Sequence, residues 1–239
     1  MMNSRKEASP QFYARMGGLA YLIIIVCGAL GELFIRNKLI VSGDPIATAR
    51  NITASPALWR LGIAGDLLMH VCDLILGLVY FTLFKRVNRN LALLALLFQM
   101  MQTAVLVANK MTLVMPLFLL GNEEYLKAFD PAQLQVWAYL SIKAHGYGFG
   151  IGLIFFGFEC LLDGYLIFKS GFLPRILGVL IQMAGIGYLI NSFTLILFPA
   201  WSDVVFKVVM GPVFIAELSM CLWLLVKGVD LGKWKAWPD

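Results

Sequence analysis

WRLGIAGDLLMHVCDLILGLVYFTLF, running from Trp59 to Phe84, is apolar enough to lie in hydrocarbon, yet past Arg60 at its start it carries two aspartates and a histidine. A helix crossing about 30 Å at 1.5 Å per residue needs about 20 residues, which this stretch exceeds. Asp66, His70 and Asp73 stand at i, i+4 and i+7. At about 100° per residue they fall within an arc of about 60° on one helix face. Each would cost several kcal/mol in lipid unless paired, hydrated or metal-bound, so that face must look into a bundle of other helices.

Five further apolar segments supply the bundle. With the first they lie at about 12–35, 58–84, 91–120, 137–168, 173–199 and 204–226, bounded by charges, prolines or polar clusters. The 239 residues are 60% hydrophobic and only 14% charged, with a mean hydropathy of +0.82; a soluble chain carries about 25% charge. This excludes a disordered chain, a nucleic-acid module and nearly every soluble fold. The expectation is all-α: a single integral membrane domain over 1–239, with six transmembrane helices and no internal repeat.

Six crossings put both termini on one side. That side collects Arg5, Lys6, Arg15, Lys85, Arg86, Arg89, Lys169, Arg175, Lys227, Lys233 and Lys235 on short connections. The other side carries Arg36, Lys38, Arg50, Arg60, Lys127 and Lys207 among the acids Asp44, Glu123, Glu124, Asp130 and Asp203. Short basic connections mark the cytoplasm, so both termini are expected inside. Cys27, Cys72, Cys160 and Cys221 each sit alone in an apolar segment and read as small hydrophobes, not as a disulfide or zinc framework. Signatures for nucleotide hydrolysis, zincin proteolysis, elbow-serine hydrolysis and covalent haem attachment are absent.

The third segment offers a counter-charge at Lys110, with Gln99 and Thr103 on nearly the same face. By depth Lys110 matches Asp66, and an ion pair between them is expected. On the fourth, His145, Gly148, Gly152, Phe156, Glu159 and Asp163 share a narrow arc, and the small residues mark a close helix interface. His145 falls at the depth of Asp66 and Lys110; Glu159 can face Asp73. Asp163 is expected near the headgroups, within reach of Lys85 or Arg86. Glu32 is expected to pair with Arg36 or Arg60. Asn191 and Glu217 bring polar groups from the fifth and sixth segments.

Two long stretches, ELFIRNKLIVSGDPIATARNI from Glu32 to Ile52 and FFGFECLLDGYLIFKSGFLPRILGVLI from Phe155 to Ile181, resemble a bacterial membrane family known as a domain of unknown function, forty-three eighty-six. The ending ELSMCLWLLVKGV, Glu217 to Val229, extends the likeness over nearly the whole chain, and YLIFKSGFLPRILG is its most specific part. The resemblance implies a six-span, multi-pass protein of the bacterial inner membrane and no particular activity. The positions of Glu159 and Asp163 are more often uncharged in that family, which leaves Asp66, His70, Lys110, His145 and Glu217 as the stronger candidates.

The leading expectation is a polar pocket between the second, third and fourth segments, built from Asp66, His70, Asp73, Lys110 and His145 and closed by Asn191 and Glu217. It would bind or transport a small molecule, a lipid headgroup or a proton-linked solute. No motif indicates a cofactor. Three other readings stay open. One is a metal-dependent hydrolase with Asp66, His70 and His145 on zinc and Asp73 or Glu159 as general base. Another is haem held between His70 and His145, and the last is a scaffold subunit without a ligand. The expected partners are the lipid bilayer and a small molecule or lipid, with no nucleic acid; a homo-oligomer is compatible with the sequence.

Overall fold

The computed structural model describes residues 9–237, so Arg5 and Lys6 of the orientation argument lie outside the described residues. Six helices are long and apolar enough to cross a membrane: Pro10–Leu39, Pro56–Phe84, Arg89–Leu119, Pro131–Ser170, Arg175–Leu197 and Pro199–Val226. They are called here the first to sixth spans. No strand occurs among the described residues.

Local chemistry sets their ends. Ser9, Asn88 and Asp130 accept backbone N–H bonds at the starts of the first, third and fourth spans, and Pro10, Pro56 and Pro131 occupy first-turn positions where no amide donor is needed. Gly171 and Gly228, at φ 69° and 68°, turn the chain out of the fourth and sixth. The fourth span begins at Pro131, well before the 137 expected from hydropathy. The Asp130 cap starts it in a polar stretch that reads as loop, and its 40 residues reach about 60 Å. The loop after the first span contains a further helix, Pro45–Ala54, capped by Asp44.

Each span packs on its neighbours in sequence, and the first packs on the sixth, so the bundle is a closed ring. The closure is polar as well as apolar. Gln11 Nε2 donates to the Lys227 carbonyl at 2.8 Å, and the Val229 amide donates to Gln11 Oε1 at 3.0 Å. The fourth and fifth spans come closest. A Cβ on Gly178 would stand 2.5 Å from the Gly164 carbonyl oxygen, and one on Gly185 would stand 2.7 Å from that of Gly157. Small residues at a seven-residue spacing let two backbones touch.

The ring's interior is divided by depth. One apolar cluster, including Leu76, Val79, Leu83, Leu153, Leu166, Val213 and Leu224, fills the half that holds the chain ends. A smaller one, Ile35, Leu39, Ile52, Trp59, Ile63, Leu113 and Ile142, fills the half facing the long loops. Along the second span, Asp66, His70 and Asp73 lie between Ile63 and Leu76. Along the fourth, His145 lies between Ile142 and Leu153. A polar layer therefore lies between the two apolar clusters, while Leu67, Leu68, Val71, Leu74 and Leu78 of the second span face outward.

Candidate functional site

Asp66 is the centre of the polar layer. Its Oδ2 accepts from Lys110 Nζ at 2.8 Å and from Arg36 Nη1 at 2.9 Å. The Asp66 side chain is 1% exposed, Lys110 5% and Arg36 15%. Arg36 also binds Glu32 through Nε at 2.7 Å, but that carboxylate is 56% exposed. The expected Asp66–Lys110 and Glu32–Arg36 pairs are both present; the Arg36 bond to Asp66 joins them into one chain of charges.

Both cations come from irregular helix. Residues Leu30–Arg36 form a π-helical segment, a wider winding that carries Arg36 round to Asp66. Gly31 lies under this contact, since a Cβ there would stand 3.1 Å from both Asp66 Oδ1 and Arg36 Nη2. The third span is interrupted at Lys110, between helical segments Arg89–Asn109 and Met111–Leu119. The Lys110 amide bonds Val107, three residues back, at 3.1 Å. Such departures from i→i+4 bonding recur at functional sites, and broken helices commonly form the binding sites of membrane carriers.

Beside Lys110, Asn109 Nδ2 lies 3.0 Å from His145 Nδ1 and donates to the His145 carbonyl at 2.9 Å. Gly148, one turn on, leaves room for the Asn109 side chain. One turn from Asp66, His70 Nδ1 lies 2.9 Å from Asp73 Oδ2, and Gln99 Nε2 donates to the Asp73 carbonyl at 2.6 Å. Asp66 Oδ1 and His70 Nε2 are buried without a hydrogen-bond partner among the described residues.

Further toward the chain ends, Asp73, Glu159, Asp163 and Glu217 stand within electrostatic range of Glu159 or of one another. Tyr188 donates to Glu217 Oε1 at 2.5 Å, while Glu159 Oε2 and the Tyr80 hydroxyl are buried with no hydrogen-bond partner among the described residues. Asn191 is buried on the fifth span. Asp163 departs from expectation. It is 4% exposed and makes no ion pair with Lys85 or Arg86 among the described residues. Two helical turns separate it from Ser170, and it points into the bundle rather than along it.

The residues singled out from sequence thus fall into two groups, one around Asp66, Lys110 and His145 and one around Asp73, Glu159 and Glu217, with His70 joining them. Arg36 and Asn109 belong to the first group and were missed. Asp66 is held by two cations, His70 by Asp73 and His145 by Asn109. Among the described residues no group of three or more His, Cys, Asp and Glu is arranged to hold a metal ion. Two cavities, of about 820 and 300 Å³, lie elsewhere, one among the long loops and one near the chain ends.

Six apolar crossings around an ionisable interior define a multi-pass membrane protein. The chain belongs to the family described as Domain of unknown function (DUF4386), whose model matches residues 16–228. It is also similar to an "Uncharacterized protein" of Archaeoglobus fulgidus, 28% identical over 171 residues, which are 72% of this chain and 86% of that protein. No solved structure matches the chain.

Proposed function

We propose that the protein binds a small polar solute or lipid headgroup in its polar layer and moves it in a proton-linked way, with both termini in the cytoplasm and the chain in a cell's inner membrane. The observation that carries this is the convergence of Arg36 and Lys110, each from irregular helix, on a buried carboxylate whose second oxygen has no partner among the described residues. Packing alone does not call for such an arrangement: apolar side chains join helices without the desolvation that a buried ion pair costs. The basic connections near the chain ends support the orientation.

His70 and Asp73, one turn away, supply groups that can hold or pass a proton between Asp66 and the deeper carboxyls. The test uses purified full-length chain. Elemental analysis and a visible spectrum come first, separating a metal or haem protein from a metal-free one. Thermal unfolding is then followed against a panel of small organic acids, amines and phosphorylated headgroups. A compound that raises the midpoint for the native chain, and does not raise that of His70→Ala or His145→Ala above the variant's own unliganded midpoint, supports the proposal. A panel-wide absence of shifts, or shifts that survive both substitutions, overturns it.

A further inference from the structure

The cavity of about 820 Å³ among the long loops is distinct from the polar layer, and its volume suits a ligand of drug or lipid-chain size. It lies between helix Pro45–Ala54, the short 3₁₀ turn Glu124–Ala128 and the end of the third span. Leu113 lies between Lys110 and Leu119 on the third span, and Ile142 lies between Leu134 and His145 on the fourth. With Trp59, whose Nε1 bonds the Leu113 carbonyl at 2.8 Å, they form a dry layer between cavity and Asp66.

The wall is apolar over most of its extent: Ile46, Leu119, Leu126, Phe129 and Leu134. The charges stand at the rim and are unequal in their freedom. Lys127 is tied to Glu124 at 2.7 Å, whereas the Arg50 side chain makes no hydrogen bond or ion pair among the described residues. Glu123 adds a carboxylate to the same lining. A fully polar solute would leave this wall unsatisfied, and a purely apolar one would leave the guanidinium unused.

We propose that this cavity binds an acyl chain with an anionic head, the chain along the apolar wall and the head on Arg50. A free fatty acid and an anionic phospholipid share that chemistry. The site lies at the depth where loop meets lipid, and Ile46 and Phe129 present apolar surface there.

The full chain in neutral phosphatidylcholine nanodiscs is photolabelled with three probes bearing a diazirine in the acyl chain: a fatty acid, a phosphatidylglycerol and an uncharged fatty alcohol. Labelling is mapped by peptide mass. An anionic probe should mark peptides spanning 46–53 and 119–135 at least twofold above the alcohol, and whichever anionic arm does so names the source. Arg50→Gln should lower that labelling about two- to fivefold, the loss expected for one solvent-exposed ion pair. Leu134→Trp should lower it by filling the wall. Arg50 is exposed, so its variant keeps the fold whether or not Leu134→Trp does. Equal labelling by the alcohol, labelling spread evenly over the outward faces of all six spans, or labelling indifferent to Arg50→Gln overturns the proposal. None of these results bears on the polar layer, which lies beyond the Trp59 layer.

Discussion

Asp66→Asn and Lys110→Met break the same ion pair, yet the first should cost far more. At 2.8 Å the gross attraction between Asp66 and Lys110 is about 6 kcal/mol for an effective dielectric of about 20, and the Arg36 bond at 2.9 Å is similar. Most of this is offset by desolvation, and removing one partner of a buried pair typically costs about 3–5 kcal/mol because the other is stranded. Asp66→Asn strands Lys110, and the full penalty is expected. Lys110→Met leaves Asp66 still held by Arg36, so the loss should approach that of one hydrogen bond to a charged group, about 1.5–3 kcal/mol. In the double variant Arg36 keeps Glu32, and the total should fall short of the sum by about 1–3 kcal/mol. Reversible unfolding in mixed micelles, followed by circular dichroism, measures all three. Equal costs for the two single variants would refute the shared grip on Asp66, and so would losses that simply add.

Gly178→Ala and Gly185→Ala push a methyl group into the opposing backbone and should each destabilise by about 1–3 kcal/mol. Gly65→Ala, mid-helix with nothing within 4 Å, should be neutral or stabilising by about 0.5–1 kcal/mol in the same unfolding assay. Trp59→Phe removes the bond to the Leu113 carbonyl and should lower stability by about 1 kcal/mol, with the far-ultraviolet spectrum unchanged. A single cysteine at Val87, in a background free of the native four, should resist a membrane-impermeant maleimide in intact cells and react after lysis. Reaction before lysis would invert the proposed orientation.

The spans and half of the polar layer were legible because both rest on local periodicity. Asp66, His70 and Asp73 belong to one straight helix, where spacing alone assigns a face, and Lys110 could be matched to Asp66 by counting residues from the same membrane boundary. Arg36 could not be found in that way. Its reach to Asp66 depends on the π-helical winding of Leu30–Arg36, which shifts the facing of everything after it and has no signature in LGELFIR. Asn109 was hidden because its role comes from its partner: it ends the regular helix Arg89–Asn109, and spacing along one helix does not tell which side of the fourth span meets it. The early start of the fourth span, by contrast, was written in the sequence as Asp130 followed by Pro131, a cap and first-turn pair that hydropathy outweighed.

The first and sixth spans meet at a seam, fastened by Gln11 to Lys227 and Val229. Around the ring every helix has a neighbour on each side, so the place where the polypeptide happens to start is a matter of wiring rather than of shape. A circular permutant joined across the seam by a flexible linker and reopened between Val87 and Asn88 would keep every neighbour relation. It would also keep both new ends on the face that holds them now, because that turn and the seam lie at the same end of the bundle.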